Sequence, residues 1–383
     1  MTSESDETIQ LYSVKEGRHD KNLLSKKYGV KLAQFTHTSS SIIYASTKTN
    51  DAIRYLATHD NSFIRYFEGH TSAVTCLAMH PGTDAFLSCS RDDTVRLWDV
   101  SERRATAVLS QIRSPHLAAW DPSGTVFAVA TPPAAAVILY DHRNYGRGPF
   151  ATFDLVEGAV ALVSSSNAGG AGGAGRMEAI QQVEKGWTKL AFSNDGKHLL
   201  LGTRGQGHFL LDAFDGSLRA YLRKPEATSS SASSAGANAA AGAAGAKTAG
   251  AGAAAPSGPS NRIAPGELPP SGEAVNSPLS SSGPMETSGD CGFTPDGRFV
   301  VGGAGTATQR AGNVLVWDTL PASAPATIAG AGDPAAAPPK VLDPVHVLDD
   351  ARREAAVLAV NPRFNFFASA DQDLVFWTPD FAA

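Results

Sequence analysis

Seven short strand-like segments end at nearly regular points along this chain, and that beat limits the possible folds more than any other feature. Each runs as an apolar-polar alternation up to an aromatic residue or leucine at its end. They stop at Tyr12-Ser13, Tyr55-Leu56, Trp98-Asp99, Tyr140-Asp141, Leu211-Asp212, Trp317-Asp318 and Trp377-Thr378. The first three intervals are 43, 43 and 42 residues, the fourth is 71 and the fifth 106. Subtracting one period of 42 leaves 29 and 64 residues, the lengths of two low-complexity runs, Glu157–Lys185 and Pro225–Ser288.

A period of about 40–45 residues ending in Trp-Asp is the mark of a WD40 propeller blade. The prediction is an all-β chain, a WD40 β-propeller on a seven-blade plan, occupying 1–383 as a single domain. A propeller of this type points to a docking platform. The 42% hydrophobic content supplies a core for it, and the 18% charged fraction is low because the Gly/Ala/Ser runs dilute it. A net charge of −5 gives no bulk attraction to nucleic acid or an anionic membrane. No stretch approaches the ~20 consecutive apolar residues of a spanning helix. The first ten residues, MTSESDETIQ, lack the basic and apolar regions of a secretory signal. Cys76, Cys89 and Cys291 show no C-x-x-C spacing, so a reduced compartment and no structural zinc are expected.

The clearest unit runs from Glu68 to Val100. Gly69-His70 precedes the strand AVTCLAMH, followed by the turn Pro81-Gly82, the strand AFLSCS, a tight turn at Arg91–Asp93 and the strand TVRLWDV. Alternation puts Val95, Leu97 and Asp99 on one face of the last strand and Arg96 and Trp98 on the other. His70, Ser90, Asp92 and Trp98 occupy the positions where this repeat builds a hydrogen-bonded chain, imidazole to carboxylate and hydroxyl, hydroxyl to indole N–H. Each buried polar group would then have a partner. The competing reading makes His70 and Asp92 a general-base pair for a Ser90 nucleophile; blade architecture explains the same residues without it. DPSGTVFAVAT with AVILYD, AFSNDGKHLLLGT with HFLLDAF, FTPDGRFVVGGA with NVLVWD, and NPRFNFFASA with LVFW repeat the plan, and FTHTSSSIIYAST with AIRYLA is a more degenerate copy.

The runs at 157–185 and 225–288 are Gly/Ala/Ser/Pro-rich with few aromatics. Such composition cannot offset chain entropy by burial, so both are expected to be disordered insertions between blades. A third stretch, 321–344, reads as a flexible insertion between the third and fourth strands of unit six. The third strand of unit one already ends at Ser13. The first blade is therefore expected to be incomplete at its N-terminal side by roughly 30 residues, with no strand to close the ring, as in an N-terminally short gene model.

LLSKKYGV (23–30), NDAIRYLATHDNSFIRYFEGH (50–70), DTVRLWDV (93–100), RGPFATF (147–153), FSNDGKHLLL (192–201) and LDAFDG (211–216) resemble the WD-repeat protein 82 family. The resemblance implies a nuclear, non-enzymatic subunit without a cofactor. It implies partners among the subunits of the COMPASS histone H3 lysine 4 methyltransferase and of the cleavage and polyadenylation factor, and association with the serine-phosphorylated C-terminal domain of RNA polymerase II. Neither a membrane nor sequence-specific nucleic acid is expected as a partner.

Turns between second and third strands share one rim of a propeller with the links between blades. Here they carry Lys48, Arg91, Arg204 and Arg310. This partial ring of cations on an acidic protein suits an acidic or phosphorylated peptide; the alternative is a set of solvated turn charges. Lys26-Lys27-Tyr28 is a second candidate patch. An enzyme built on the ring would need a convergent acid-base or metal constellation, and the ten histidines are scattered. A WD40 substrate receptor of a ubiquitin ligase shares the fold, and sequence physics alone leaves it open.

Overall fold

A computed structural model describes residues 1–3, 6–110, 117–156, 158, 186–225, 290–303, 313–323, 339–349, 357–370 and 373–379. All of these belong to one compact unit, Met1–Ala227 with Met285–Ala383. The expected insertions at 157–185 and 225–288 lie outside the described residues, except for Gly158 and Pro225.

The described chain folds into seven sheets, antiparallel except for one added parallel strand, arranged as the blades of a β-propeller. Blade 1 holds β1 (Thr2–Ser3), β2 (Thr8–Ser13) and β3 (Arg18–Leu24). Blade 2 holds β4 (Lys31–Phe35), β5 (Ser41–Ala45), β6 (Ile53–Ala57) and β7 (Phe63–Phe67), and blade 3 holds β8 (Val74–Met79), β9 (Ala85–Ser90), β10 (Val95–Asp99) and β11 (Ala107–Leu109). Blade 4 holds β12 (Leu117–Trp120), β13 (Val126–Thr131), β14 (Ala136–Asp141) and β15 (Ala151–Asp154). Blade 5 begins with β16 (Trp187–Phe192), β17 (His198–Thr203), β18 (Gly207–Asp212) and β19 (Leu218–Arg223). Blade 6 follows with β20 (Cys291–Phe293), β21 (Phe299–Gly303) and β22 (Asn313–Asp318). From β4 onward the innermost strands pack in chain order, β4 on β8, β8 on β12, β12 on β16, β16 on β20.

Two features differ from the sequence reading. Residues 321–344 are not simply a flexible insertion. A helical turn, α1 (Leu320–Ser323), opens the stretch, and β23 (Lys340–Leu342) pairs in parallel with β19, giving blade 5 a fifth strand. The Arg223 guanidinium grips the Asp343 carboxylate with two hydrogen bonds of 2.8 and 2.9 Å. β24 (His346–Asp349) then completes blade 6, and β25 (Val357–Val360), β26 (Phe367–Ala370) and β27 (Leu374–Trp377) form blade 7. The second difference is in blade 1. Ahead of β2, which reads as a third strand, Thr2 and Ser3 still pair with Gln10 and Ile9. Blade 1 has three strands among the described residues, and its ladder starts before β2.

The second strands of blades 2 to 6 are buried on both faces, because a neighbouring sheet lies against each side. Ile42 and Tyr44 pack with Ile9 and Leu11 of blade 1, while Ile43 and Ala45 pack with Val74 and Trp98 of blade 3. Leu199 and Leu201 join the seam with blade 4; Leu200, between them, joins the seam with blade 6. A strand covered on both faces reads as a continuous apolar run, which is why HLLLGT is buried throughout. Each fully buried Leu, Ile or Phe in these seams contributes about 1.5–3 kcal/mol. The tight connections between first and second strands place Gly124, Gly196 and Gly297 at φ of 72°, 71° and 68°, conformations that a side chain resists.

Candidate functional site

In blade 3 the His70 Nδ1 lies 2.9 Å from an Asp92 carboxylate oxygen, and its Nε2 lies 2.7 Å from the Ser88 hydroxyl. The Trp98 indole N–H donates to the same hydroxyl at 2.8 Å. The bridging hydroxyl is therefore Ser88, not Ser90. Residues 88 and 90 share a face of β9, and the register decides between them. Arg96 pairs with Ser88 and Trp98 with Phe86, so the indole lies along Ser88, whereas Ser90 is one step further and opposite Val74. Ser90 instead donates to the Ser72 carbonyl at 2.7 Å and accepts the Asp92 N–H at 3.2 Å.

The protonation pattern follows from these contacts. Burial pushes the Asp92 carboxyl up, but hydrogen bonds from Thr94, the Thr71 N–H and His70 outweigh it and hold the group at about 2. An ionised carboxylate only accepts, so His70 carries its proton on Nδ1 and accepts from Ser88 through Nε2. Burial holds the imidazole below its usual value, partly offset by Asp92. The His70 and Asp92 side chains are 1% and 5% exposed and Ser88 is fully buried. The hydroxyl is closed off from solvent and shared between the imidazole and the indole, an arrangement that fastens the blade. Blade 7 repeats the motif where Trp377 donates to the Ser369 hydroxyl at 2.8 Å. In blade 6 the matching residue is Gly302, and the Trp317 indole donates to the Arg223 carbonyl at 3.1 Å.

The candidate rim is built by one recurring backbone bond. In blades 3, 5 and 6 a residue at the end of the second strand or just after it donates its N–H to the carbonyl just before that blade's first strand. Arg91 does so to Ala73 at 3.0 Å, Arg204 to Gly186 at 2.9 Å and Gly303 to Asp290 at 3.2 Å. Arg91 and Arg204 therefore occupy equivalent positions, both exposed. Lys48 donates through its N–H to Tyr28 at 2.9 Å, and its ammonium lies 3.1 Å from Glu7 of the preceding blade. Arg310 lies outside the described residues, and Gly303 holds the equivalent backbone position in blade 6.

Two further charged groups belong to this rim that sequence reasoning did not single out. The Asp290 carboxylate accepts the Cys291 N–H at 3.0 Å and the Leu358 N–H at 3.1 Å, tying blade 6 to blade 7, with Lys189 Nζ at 3.7 Å. The Arg54 guanidinium lies 3.5 Å from the centre of the Tyr28 ring and donates to Ser46 and Asn50 at 2.8 and 3.1 Å. The Lys26-Lys27-Tyr28 patch thus rests on a buried arginine. Stacking of this kind fixes the guanidinium plane. Among the described residues no group of three His, Cys, Asp or Glu side chains could hold a metal ion, and no helix is long and apolar enough to cross a membrane.

Comparison with known proteins agrees with this architecture. Residues 61–99 match the model of the WD domain, G-beta repeat. The chain is 38% identical to WD repeat-containing protein 82 of Drosophila melanogaster over 55% of its length, covering 59% of that protein. It is 32% identical to COMPASS component SWD2 of Saccharomyces cerevisiae, over 56% of this chain and 58% of that one. The Set1 complex component swd2 of Schizosaccharomyces pombe is 32% identical over 57% of this chain and 54% of its own. The chain thus spans somewhat over half the length of the curated relatives it matches. Its seven sheets and these matches agree: the chain folds as a β-propeller that carries a WD40 repeat at residues 61–99, and it is similar to WD repeat-containing protein 82 and to the SWD2 components of the COMPASS and Set1 complexes.

Proposed function

We propose that this protein is a non-catalytic WD40 scaffold subunit of a COMPASS-type histone H3 lysine 4 methyltransferase complex and works in the nucleus. The observation that carries the reading is its similarity, over more than half of the chain, to proteins named as components of such complexes in two yeasts. The geometry supports a binding role. The one His-Asp-hydroxyl arrangement singled out in the sequence is consumed inside blade 3, while the exposed Arg91 and Arg204 stand on rigidly anchored turns. Rigid turns that display charge at fixed spacing suit a partner peptide rather than a reaction. The family resemblance extends the proposal to the cleavage and polyadenylation machinery and to the phosphorylated C-terminal domain of RNA polymerase II, for which the cationic rim is the matching surface.

Affinity purification of the tagged full chain, followed by mass spectrometry, tests this. Recovery of a SET-domain methyltransferase with its companion subunits is the expected result. Recovery of cullin adaptors in place of methyltransferase subunits would make the protein a ubiquitin-ligase receptor and end the proposal.

A further inference from the structure

A groove of about 310 Å³ runs along the outer flank of blades 3 and 4, away from the rim described above. One wall is β11 with its flanking residues Thr106 and Ser110; the other is the Tyr145–Pro149 turn between β14 and β15, with Tyr140 at the base. Three features make it more than a surface fold. β11 is the last strand of its sheet, so one edge faces the groove with no ladder partner among the described residues. Large apolar side chains stand exposed beside it, Val108 at 48% and Phe150 at 59%. Both approaches are basic. Arg103 and Arg104 lead into β11, and Arg147 sits between the lining residues Gly146 and Gly148, all three exposed and without an ion-pair partner among the described residues. The nearby carboxylates are occupied. Asp99 accepts from Ser101, and Asp141 accepts from the Arg143 N–H and from Asn144. Glu102 offsets one of the positive charges.

An open strand edge recognises backbone, the exposed Val108 and Phe150 beside it recognise apolar side chains, and unpaired arginines recognise carboxylates. We propose that this groove docks an extended acidic peptide of a partner protein, which adds a strand to β11, seats alternate apolar side chains against Tyr140 and Tyr145, and places its carboxylates on Arg103, Arg104 and Arg147. A chain with a net charge of −5 that gathers unpaired arginines around one open strand edge has the complementarity for such a segment and for no basic one.

The test uses the full-length protein and three labelled nine-residue peptides that alternate valine with glutamate, with serine or with lysine, read by fluorescence anisotropy. A fourth carries the glutamate sequence with N-methylated alternate amides. The expected result is binding of the glutamate peptide alone, weakened about tenfold or more by Arg104→Glu with Arg147→Glu, and weakened similarly by N-methylation. Arg363→Glu, at an exposed turn of blade 7, should leave it unchanged. Circular dichroism melts verify that both variants fold. Equal binding of the lysine peptide, insensitivity to the Arg104 and Arg147 changes, or no binding of the glutamate peptide overturns the proposal.

Discussion

His70 Nε2 and Ser88 Oγ are joined by a 2.7 Å hydrogen bond whose oxygen also accepts the Trp98 indole. Replacing Ser88 by alanine therefore strands two buried groups at once, an imidazole lone pair and an indole N–H, at about 1–3 kcal/mol for each. Ser90→Ala removes a hydroxyl that donates to the Ser72 carbonyl and accepts the Asp92 N–H at a longer 3.2 Å, both at a partly exposed turn, and should cost less, about 1 kcal/mol. Urea unfolding followed by tryptophan fluorescence separates the two. A Ser90 variant as damaged as the Ser88 variant would show that the bridging hydroxyl is misassigned.

Stability should fall as the solution is acidified, and the direction follows from the same network. Burial holds His70 below its usual value in the folded state, so between that depressed value and about 6.5 the unfolded chain binds the extra proton. The contribution of His70 is complete above about 6.5 and is lost as the pH falls through that window. Asp92, held down to about 2 in the fold, contributes above its unfolded value of about 3.9 and loses that contribution between there and 2. His142, His198 and His208 are lowered by burial as well and add to the loss. Urea midpoints at pH 7.5 and 5 should drop for the native protein. They should drop less for His70→Asn, which starts less stable but has no imidazole to protonate. Identical drops would remove His70 from the account.

The ends of the third strands and the seven-blade plan were legible because most sheets are covered on both sides, so apolar residues crowd their second strands and turn residues mark where the strands stop. The choice between Ser88 and Ser90 was not legible. Strand alternation puts both on one face, and only the pairing of Arg96 with Ser88 resolves them. β23 left no signal either. Lys340, Val341 and Leu342 pair with Ala220, Tyr221 and Leu222, and three residues inside a Pro/Ala-rich stretch carry no periodicity that could announce a parallel partner so distant in sequence. Turn chemistry located Arg91 and Arg204, but the partner of Lys48 could not be read, since Glu7 comes from the preceding blade.

Gly29, in the LLSKKYGV stretch, should tolerate no side chain. It adopts a φ of 71°, and a Cβ there would meet the Thr47 hydroxyl and lie 2.7 Å from a Glu7 carboxylate oxygen. That carboxylate accepts the Val30 N–H at 2.8 Å and pairs with Lys48. Gly17, at a φ of 63° with open space around its Cβ position, isolates the backbone term, which is about 1–2 kcal/mol for a left-handed residue. Gly29→Ala should exceed Gly17→Ala by roughly 1 kcal/mol or more, the added displacement of a packed anchor. Thermal melts of the two variants measure the difference, and equal losses would show that Thr47 and Glu7 give way freely.

Arg91 and Arg204 carry the last prediction. Their backbones are held by equivalent bonds to Ala73 and Gly186, while their side chains face solvent. Charge reversal there should leave folding stability within about 0.5 kcal/mol. An arginine grips a phosphate with paired N–H bonds, and each charge-assisted contact is worth about 1.5–3 kcal/mol when made. Against a labelled peptide carrying two phosphoserines, Arg91→Glu with Arg204→Glu should therefore weaken binding by about tenfold or more. Added salt should weaken the native complex more than the variant one, because fewer charges remain to be screened. Solvated turn charges with no ligand would behave differently: phosphopeptide affinity would be the same in the native and doubly reversed proteins at every salt concentration.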